Sequence, residues 1–441
     1  MVKLFKLHKL AGLLAGGLLF LLAITGFLLD HDSWRFLYTV TVKTYPEALL
    51  KKEKRLFEGY YAKEKLLVVC GKRGIFKSDN GGKSFKKVLP LQCNALRENG
   101  GTLFAATDDG IYVAQANRWR RLALGGSFIN ALAVEGDTLL AVEDKRRLYL
   151  LYTDGTVLQS LTVALNPQSL GRPVTLARLV RDLHYGRGLF DGDASLLLND
   201  YAAFVLAWLA LSGYLIWLLI RQKRGRSAKK AIKAHASFYA VLAAIPLIIL
   251  AVTGIFLDHA RALGSFMKSV SIPSALLPPV YESLKTDVWS VDIHGSTYRI
   301  GNRYGVFVSR DLQTWQPENE GFAYRMIRRG ERLYVSGMGA PNRLLENKHW
   351  RPLPGTPHMF KDLVGPDDAP IYFSPRRHDL PLPRFKEITL YTLLLGLHDG
   401  SFFASWWIWL NDLAALGLLL LLFSGIRRWL RQKGRLFRFR L

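Results

Sequence analysis

The chain has 441 residues, half of them hydrophobic, with a formal net charge of +25. Four nearly charge-free stretches hold much of the apolar content, which excludes an ordinary soluble protein; a bilayer needs about 20 apolar residues per helix. Such a charge would suit a nucleic-acid binder, but the Lys and Arg sit in short runs beside those stretches and no nucleic-acid module accompanies them, so no nucleic-acid partner is expected.

The first element, residues 1–31, carries Lys3, Lys6 and Lys9 and then an apolar run, Leu10–Leu29. The run is long for a cleaved signal peptide and no small-x-small site follows it, so it is expected to be a retained span. Residues 32–182 change character: short alternating strands are separated by turn residues, as in Leu66-Leu67-Val68-Val69 before Gly74-Ile75-Phe76. Repeats of this kind predict blade-like sheets, about three in this half. Residues 78–85 resemble an Asp-box, a turn between blade strands that serves folding and not catalysis. Cys70 and Cys93 both lie here; an oxidising compartment permits a disulfide between them, and two buried thiols are the alternative.

Residues 183–222 contain Leu183-His184-Tyr185-Gly186 and a second apolar run, Leu196–Ile220. A basic segment at 223–234 is expected to be a loop, and Arg221–Lys233 holds seven Lys or Arg and no acid. Residues 235–259 carry the third run, Ala236–Leu257, interrupted only by Pro246. Residues 260–396 are a second strand-rich segment, with an Asp-box-like turn one residue short at 309–315. Residues 397–430 hold Leu397-His398-Asp399-Gly400 and the fourth run, Trp406–Phe423; a basic tail, 431–441, ends the chain. Short Lys/Arg-rich segments remain cytoplasmic. Both termini and the 223–234 segment are therefore expected inside, with the large segments exported, to a periplasm if the membrane is a bacterial inner membrane.

The chain repeats itself. Residues 23–31 match residues 251–259 at six of nine positions, both ending Asp-His. Leu198-Asn199-Asp200 recurs as Leu410-Asn411-Asp412, and Ser212-Gly213 recurs as Ser424-Gly425. Two parallel repeats, each a helix, an exported segment and a helix, predict a four-helix transmembrane bundle with a propeller-like β domain outside it. Glycines such as Gly16 and Gly17 on the spans permit close helix approach or room for a flat cofactor.

Six of the ten histidines lie at span ends in repeat-related pairs. His8 and His235 belong to the inner ends; His31 with His259, and His184 with His398, belong to the outer ends. Singly, an interfacial histidine often only anchors a helix in the headgroup layer. Matched pairs around an axis also suit bis-imidazole ligation of haem iron. Zinc is disfavoured, since neither Cys ligands nor a short His/Asp spacing is present.

His8-Lys9-Leu10-Ala11-Gly12 opening a span that reaches Thr25-Gly26, with Leu183-His184-x-Gly186 before a span reaching Ser212-Gly213, resembles the PepSY-associated transmembrane helix family. That family includes haem-containing inner-membrane siderophore and ferric reductases. The resemblance covers the four spans and their flanks; the exported part departs from it, showing blade-like repeats and no recognisable PepSY domain. It implies two b-type haems, one on His8 and His235 and one drawing on His31, His259, His184 and His398, with Arg181, Arg187, Arg261, Lys6 and Lys9 near enough in sequence to meet propionates. It implies an oxidoreductase moving electrons to an exported-side ferric chelate or protein acceptor. No dinucleotide fingerprint is present, so the donor would be quinol or a partner protein. A non-enzymatic β-propeller-like scaffold and a transporter are the alternatives.

Overall fold

The computed structural model describes residues 2–115, 118–165, 174–282, 286–374 and 380–438; the end of the basic tail lies outside these. Two compact units emerge, one from Met1–Asp32, Pro173–Val280 and Tyr391–Leu441, the other from Ser33–Arg172 and Tyr281–Leu390.

The helices in chain order are α1 (Val2–Asp30), two short ones of the second unit, α2 (Phe36–Thr39) and α3 (Leu50–Glu53), then α4 (Leu176–His184), α5 (Ala194–Arg221), α6 (Gly225–His235), α7 (Phe238–Leu242), α8 (Ala244–Asp258), α9 (Ala260–Ser269), α10 (Leu390–His398) and α11 (Ile408–Arg438). Among the described residues three helices are long and apolar enough to cross a membrane, Lys6–Asp30, Ala194–Arg221 and Ser405–Arg431, and a bent pair of helices would make a fourth if it is one span. The third apolar run, expected as a span interrupted only by Pro246, is bent, with Gly225–Leu242 meeting Ala244–Asp258 at 73°. Pro246 sits in the first turn of α8, where its missing N–H removes no helical hydrogen bond. Ser237 caps α7 by accepting from the Ala240 N–H, which restarts the chain after α6. The basic segment at 223–234, which connects the second apolar run to the third, is largely α6. Lys, Arg and Ala are strong helix formers, so a charge run and a helix are compatible.

Within this unit α1 packs on α5 and α11, and α8 packs on the same two helices. Their common core uses small and branched residues, among them Leu19, Ala23, Ala202, Leu247, Ala251 and Leu418. Gly16 resolves one sequence alternative: a Cβ there would lie 3.0 Å from the Tyr214 ring, so this glycine permits α1 and α5 to approach. Tyr214 then donates its hydroxyl to the Leu13 carbonyl at 2.9 Å.

The second unit is built from antiparallel sheets. Five have four strands in simple up-and-down order, over residues 57–89, 93–123, 129–162, 290–320 and 323–352; two have two strands, Thr41–Val42 with Ile388–Thr389 and the short sheet of Asp362–Val364 with Ile371–Phe373. Phe104 and Ala106 of the second sheet share a core with Leu132 and Leu139 of the third. Val364 and Phe373 pack on Phe57 and Tyr60 of the first sheet, while Leu363 packs on Ile327 and Tyr334 of the fifth. The short sheet thus occupies the sixth blade position between the fifth and the first. Both Asp-box turns join the third and fourth strands of their blades. Ser78 accepts from the Gly82 N–H at 2.9 Å and Asn80 from the Ser84 N–H at 3.0 Å. Asp311 accepts from Gln313 and Thr314, and these hydrogen bonds, the Thr314 N–H first, hold its carboxyl below the usual range. Cys70 and Cys93 are disulfide-bonded, with Cα atoms 5.5 Å apart, joining the first blade to the second.

Candidate functional site

The repeated histidines fall into two chemical types. In the first, Nδ1 meets a Ser or Thr hydroxyl on another helix. His8 on α1 reaches Ser424 on α11 at 2.6 Å, and its repeat counterpart His235 on α6 reaches Ser212 on α5 at 2.7 Å. His398 at the end of α10 reaches Thr25 on α1 at 2.8 Å, and His184 at the end of α4 reaches Thr253 on α8 at 3.0 Å. Every one of these bonds runs from one repeat to the other.

The hydroxyls fix the imidazole tautomer. Ser424 donates to the Leu420 carbonyl, Ser212 to Trp208, Thr25 to Leu21 and Thr253 to Ile249, at 2.6–2.7 Å. A hydroxyl that has spent its hydrogen can only accept from the ring. Each Nδ1 therefore carries the proton and each Nε2 keeps its lone pair. Among the described residues no side chain hydrogen-bonds Nε2 of these four, and the His184 ring also meets the Leu250 carbonyl. This is how proteins orient a histidine whose second nitrogen binds a metal.

The glycine after the hydroxyl residue lies beside an imidazole ring in three cases. A Cβ at Gly26 would lie 3.3 Å from His398 Cε1, one at Gly254 3.5 Å from His184 Cε1, and one at Gly425 3.9 Å from His8 Cε1. Only at Gly26 would the ring crowd a Cβ, so the Thr25-Gly26 pair is a seat for the His398 imidazole, a role the sequence pattern did not reveal; Gly254 and Gly425 lie at ordinary van der Waals distance from their rings. The signal was present in the spacing, because each pair recurs at the same register in both repeats.

The histidines also pair across the repeat. His235 lies close enough to His8, and His184 to His398, for electrostatic interaction. His184 and His398 stand on helices outside the spans, and burial lowers both pKa values, that of His184 to about 4. They are held as neutral imidazoles, the form that ligates metals. Along α1, His8 and the Thr25 seat are 17 residues apart, or about 26 Å at 1.5 Å per residue. Two tiers result.

His31 and His259 are of the second type. His259 Nε2 is 2.7 Å from Asp412 Oδ2, and His31 Nε2 is 3.6 Å from Asp200 Oδ2. His31 Nδ1 bonds the Phe27 carbonyl of its own helix at 2.9 Å. Their Nε2 atoms face carboxylates, so these two do not share the ligand-ready arrangement of the other four. Asn199 and Asn411, the residues before each Asp, donate to the His184 and His398 carbonyls at 3.1 Å and so tie the two types together.

The four Nδ1-held histidines offer the donor set that bis-imidazole haem ligation would use: two tiers, repeat-related imidazoles and fixed tautomers. Arg428, beside His8 and His235, is a cation that the sequence pattern did not single out. Of the basic residues that it did, Arg187 is turned to Asp182 at 3.3 Å.

Comparison with known proteins agrees with the helical part. No curated protein matches the chain by sequence. Among solved structures, the computationally designed Ika8 protein aligns at 8% identity and TM-score 0.32, covering 70% of this chain and 65% of that one. The extracellular domain of a putative one-component system from B. thetaiotaomicron aligns at 10% identity and TM-score 0.33, covering 71% and 29%. BamB from Moraxella catarrhalis aligns at 11% identity and TM-score 0.23, covering 68% and 84%. This chain thus spans less than two thirds of the first two. The model of the PepSY-associated TM region matches residues 5–432, nearly the whole chain, and the protein belongs to that family of membrane proteins.

Proposed function

We propose that this protein is an inner-membrane b-type haem protein that moves electrons across the bilayer to an exported-side acceptor, a ferric chelate being the acceptor class that the family resemblance favours. The observation that carries the reading is the set of four histidines with Nδ1 spent on a cross-repeat hydroxyl and Nε2 left as a lone pair. His8 with His235, and His184 with His398, would each hold one haem. Haem iron between two imidazoles supplies one-electron exchange with little rearrangement. The chain's part is to fix ring orientation through Ser424, Ser212, Thr25 and Thr253, and to keep His184 and His398 neutral by burial. Two tiers about 26 Å apart along α1 suit a membrane whose hydrocarbon layer is about 30 Å thick.

The four bundled spans, cytoplasmic termini and an exported β unit belong to the same proposal. It is supported by the basic residues at 221–233 and by the Cys70–Cys93 disulfide, a bond typical of oxidising compartments. The His31–Asp200 and His259–Asp412 pairs are assigned to a role other than ligation, and a quinol hydroxyl is the kind of donor they would accept.

Purified protein from haem-replete cells should show a Soret band that shifts on reduction with dithionite. A colourless preparation would sink the reading. One observation favours transport instead: the 73° break in the third apolar stretch, since interrupted spans often form substrate sites. Colourless protein that still takes up a solute in vesicles would support that alternative.

A further inference from the structure

Away from the histidines, the β unit carries an unsatisfied polar site. An open cleft of about 670 Å³ lies along the outer strands of the fourth and fifth blades, walled by Pro317, Pro341 and Pro352 and by Trp350. Arg343, at only 7% exposure, lines it. Its Nη1 donates to the carbonyls of Glu320 and Gly321, which anchors one side of the guanidinium. Nε and Nη2 are both buried without a hydrogen-bond partner among the described residues. Those two nitrogens form one edge of the planar group, the edge that takes a carboxylate through two parallel bonds.

The same cleft holds two more orphans, Trp350 Nε1 and Asn319 Oδ1. No carboxylate among the described residues bonds Arg343. Of the nearby acids, Glu318 binds Arg299 at 2.8 Å and Glu346 binds Arg351 at 2.8 Å, while Glu320, which also lines the cleft, meets Arg343 through its backbone carbonyl and not through its carboxylate. Burial without a counter-charge lowers the Arg343 pKa to about 10. A buried cation with an empty bidentate edge is costly unless something pairs with it.

We propose that this cleft binds a small organic carboxylate, with its oxygens on the Nε–Nη2 edge of Arg343, a further acceptor atom on Trp350 Nε1 and its apolar body against the prolines. A spherical or tetrahedral anion would leave the proline and indole walls uncovered, so an aryl or alkyl carboxylate is preferred over phosphate.

The test uses the full-length protein in detergent, with phenylacetate, acetate and phosphate as probes at matched ionic strength, read by calorimetric titration. Phenylacetate should bind saturably, acetate more weakly and phosphate not at all. Arg343→Met and Arg343→Lys should each weaken phenylacetate binding about 10- to 100-fold, the range for loss of hydrogen bonds to a charged group. Trp350→Phe, which deletes one donor and keeps the wall, should weaken it several-fold. If Arg343→Met does not fold, Arg343→Lys and Trp350→Phe carry the test. Absence of saturable binding to the wild type, equal binding of phosphate, or binding unchanged in these variants would each overturn the proposal. None of these outcomes touches haem content, so the site stands or falls apart from the electron-transfer reading.

Discussion

His235 Nδ1 and Ser212 Oγ lie 2.7 Å apart, and His8 Nδ1 and Ser424 Oγ repeat that contact at 2.6 Å with the two halves of the chain exchanged. Each repeat therefore supplies the imidazole that the other repeat orients. A bond of this kind typically tunes metal affinity by about 10- to 100-fold. Ser212→Ala and Ser424→Ala should accordingly keep the fold but lower haem retention and shift the midpoint potential of one haem. Haem-to-protein ratio after extended washing and a redox titration check this; unchanged values in the double variant would remove the orienting role.

The two histidine types make a sharper prediction. Replacing His8 and His235 by Ala should remove one haem equivalent, and replacing His184 and His398 should remove another. Replacing His31 and His259, whose Nε2 atoms face Asp200 and Asp412, should leave the haem content intact while altering electron entry or exit. Absorbance per mole of protein separates the cases. Haem loss from the His31 and His259 variant would move the outer site onto the Asp-paired histidines.

How far the sequence could be read depended on what each feature needed. The duplication and the six paired histidines were visible because identity at fixed spacing survives without any knowledge of contacts. The division of the outer histidines into two types was not, because it depends on which helix faces which. His398 meets Thr25 from 373 residues away, and no spacing rule anticipates that bond. The blades were legible from period-two strands and Asp-box turns, but the shortened sixth sheet was not, since Asp362–Val364 and Ile371–Phe373 are too brief to show alternation. The break before α8 had one local sign, Pro246, and α6 was hidden because a dense run of Lys and Arg reads equally as a solvated loop.

The disulfide offers a test of compartment. Cys70 and Cys93 are separated by 23 residues, and closing a loop of such size stabilises a domain by about 2–4 kcal/mol. Thiol alkylation in intact cells should fail on both cysteines until a reductant is added, and Cys93→Ser should lower the melting temperature of the β unit. Immediate alkylation in cells would place this unit in a reducing compartment and reverse the proposed topology.

Glu58 makes the β unit acid-sensitive. Its carboxyl is buried and contacts Arg325 at 2.7 Å, with Lys361 on its other oxygen. Burial alone would raise its pKa, but Lys361 and then Arg325 outweigh that and hold it below the ordinary value of 4.5. For a carboxyl depressed on folding, the stabilisation is complete above the unfolded pKa and is lost as pH falls through the folded one. The melting temperature of the β unit should thus fall as pH drops below about 4.5. Glu58→Gln leaves Arg325 and Lys361 buried without their anion, a change that costs about 3–5 kcal/mol, and it should flatten this acid limb while lowering stability at neutral pH. Lys361→Met in the same background should recover part of the loss, because it removes one of the stranded cations. Thermal melts of the three proteins across about pH 3–7, the span of ordinary carboxyl and imidazole pKa values, check this. An equally steep acid limb in Glu58→Gln would assign the sensitivity to another carboxylate, with Asp292 between Arg299 and Arg328 the next in line.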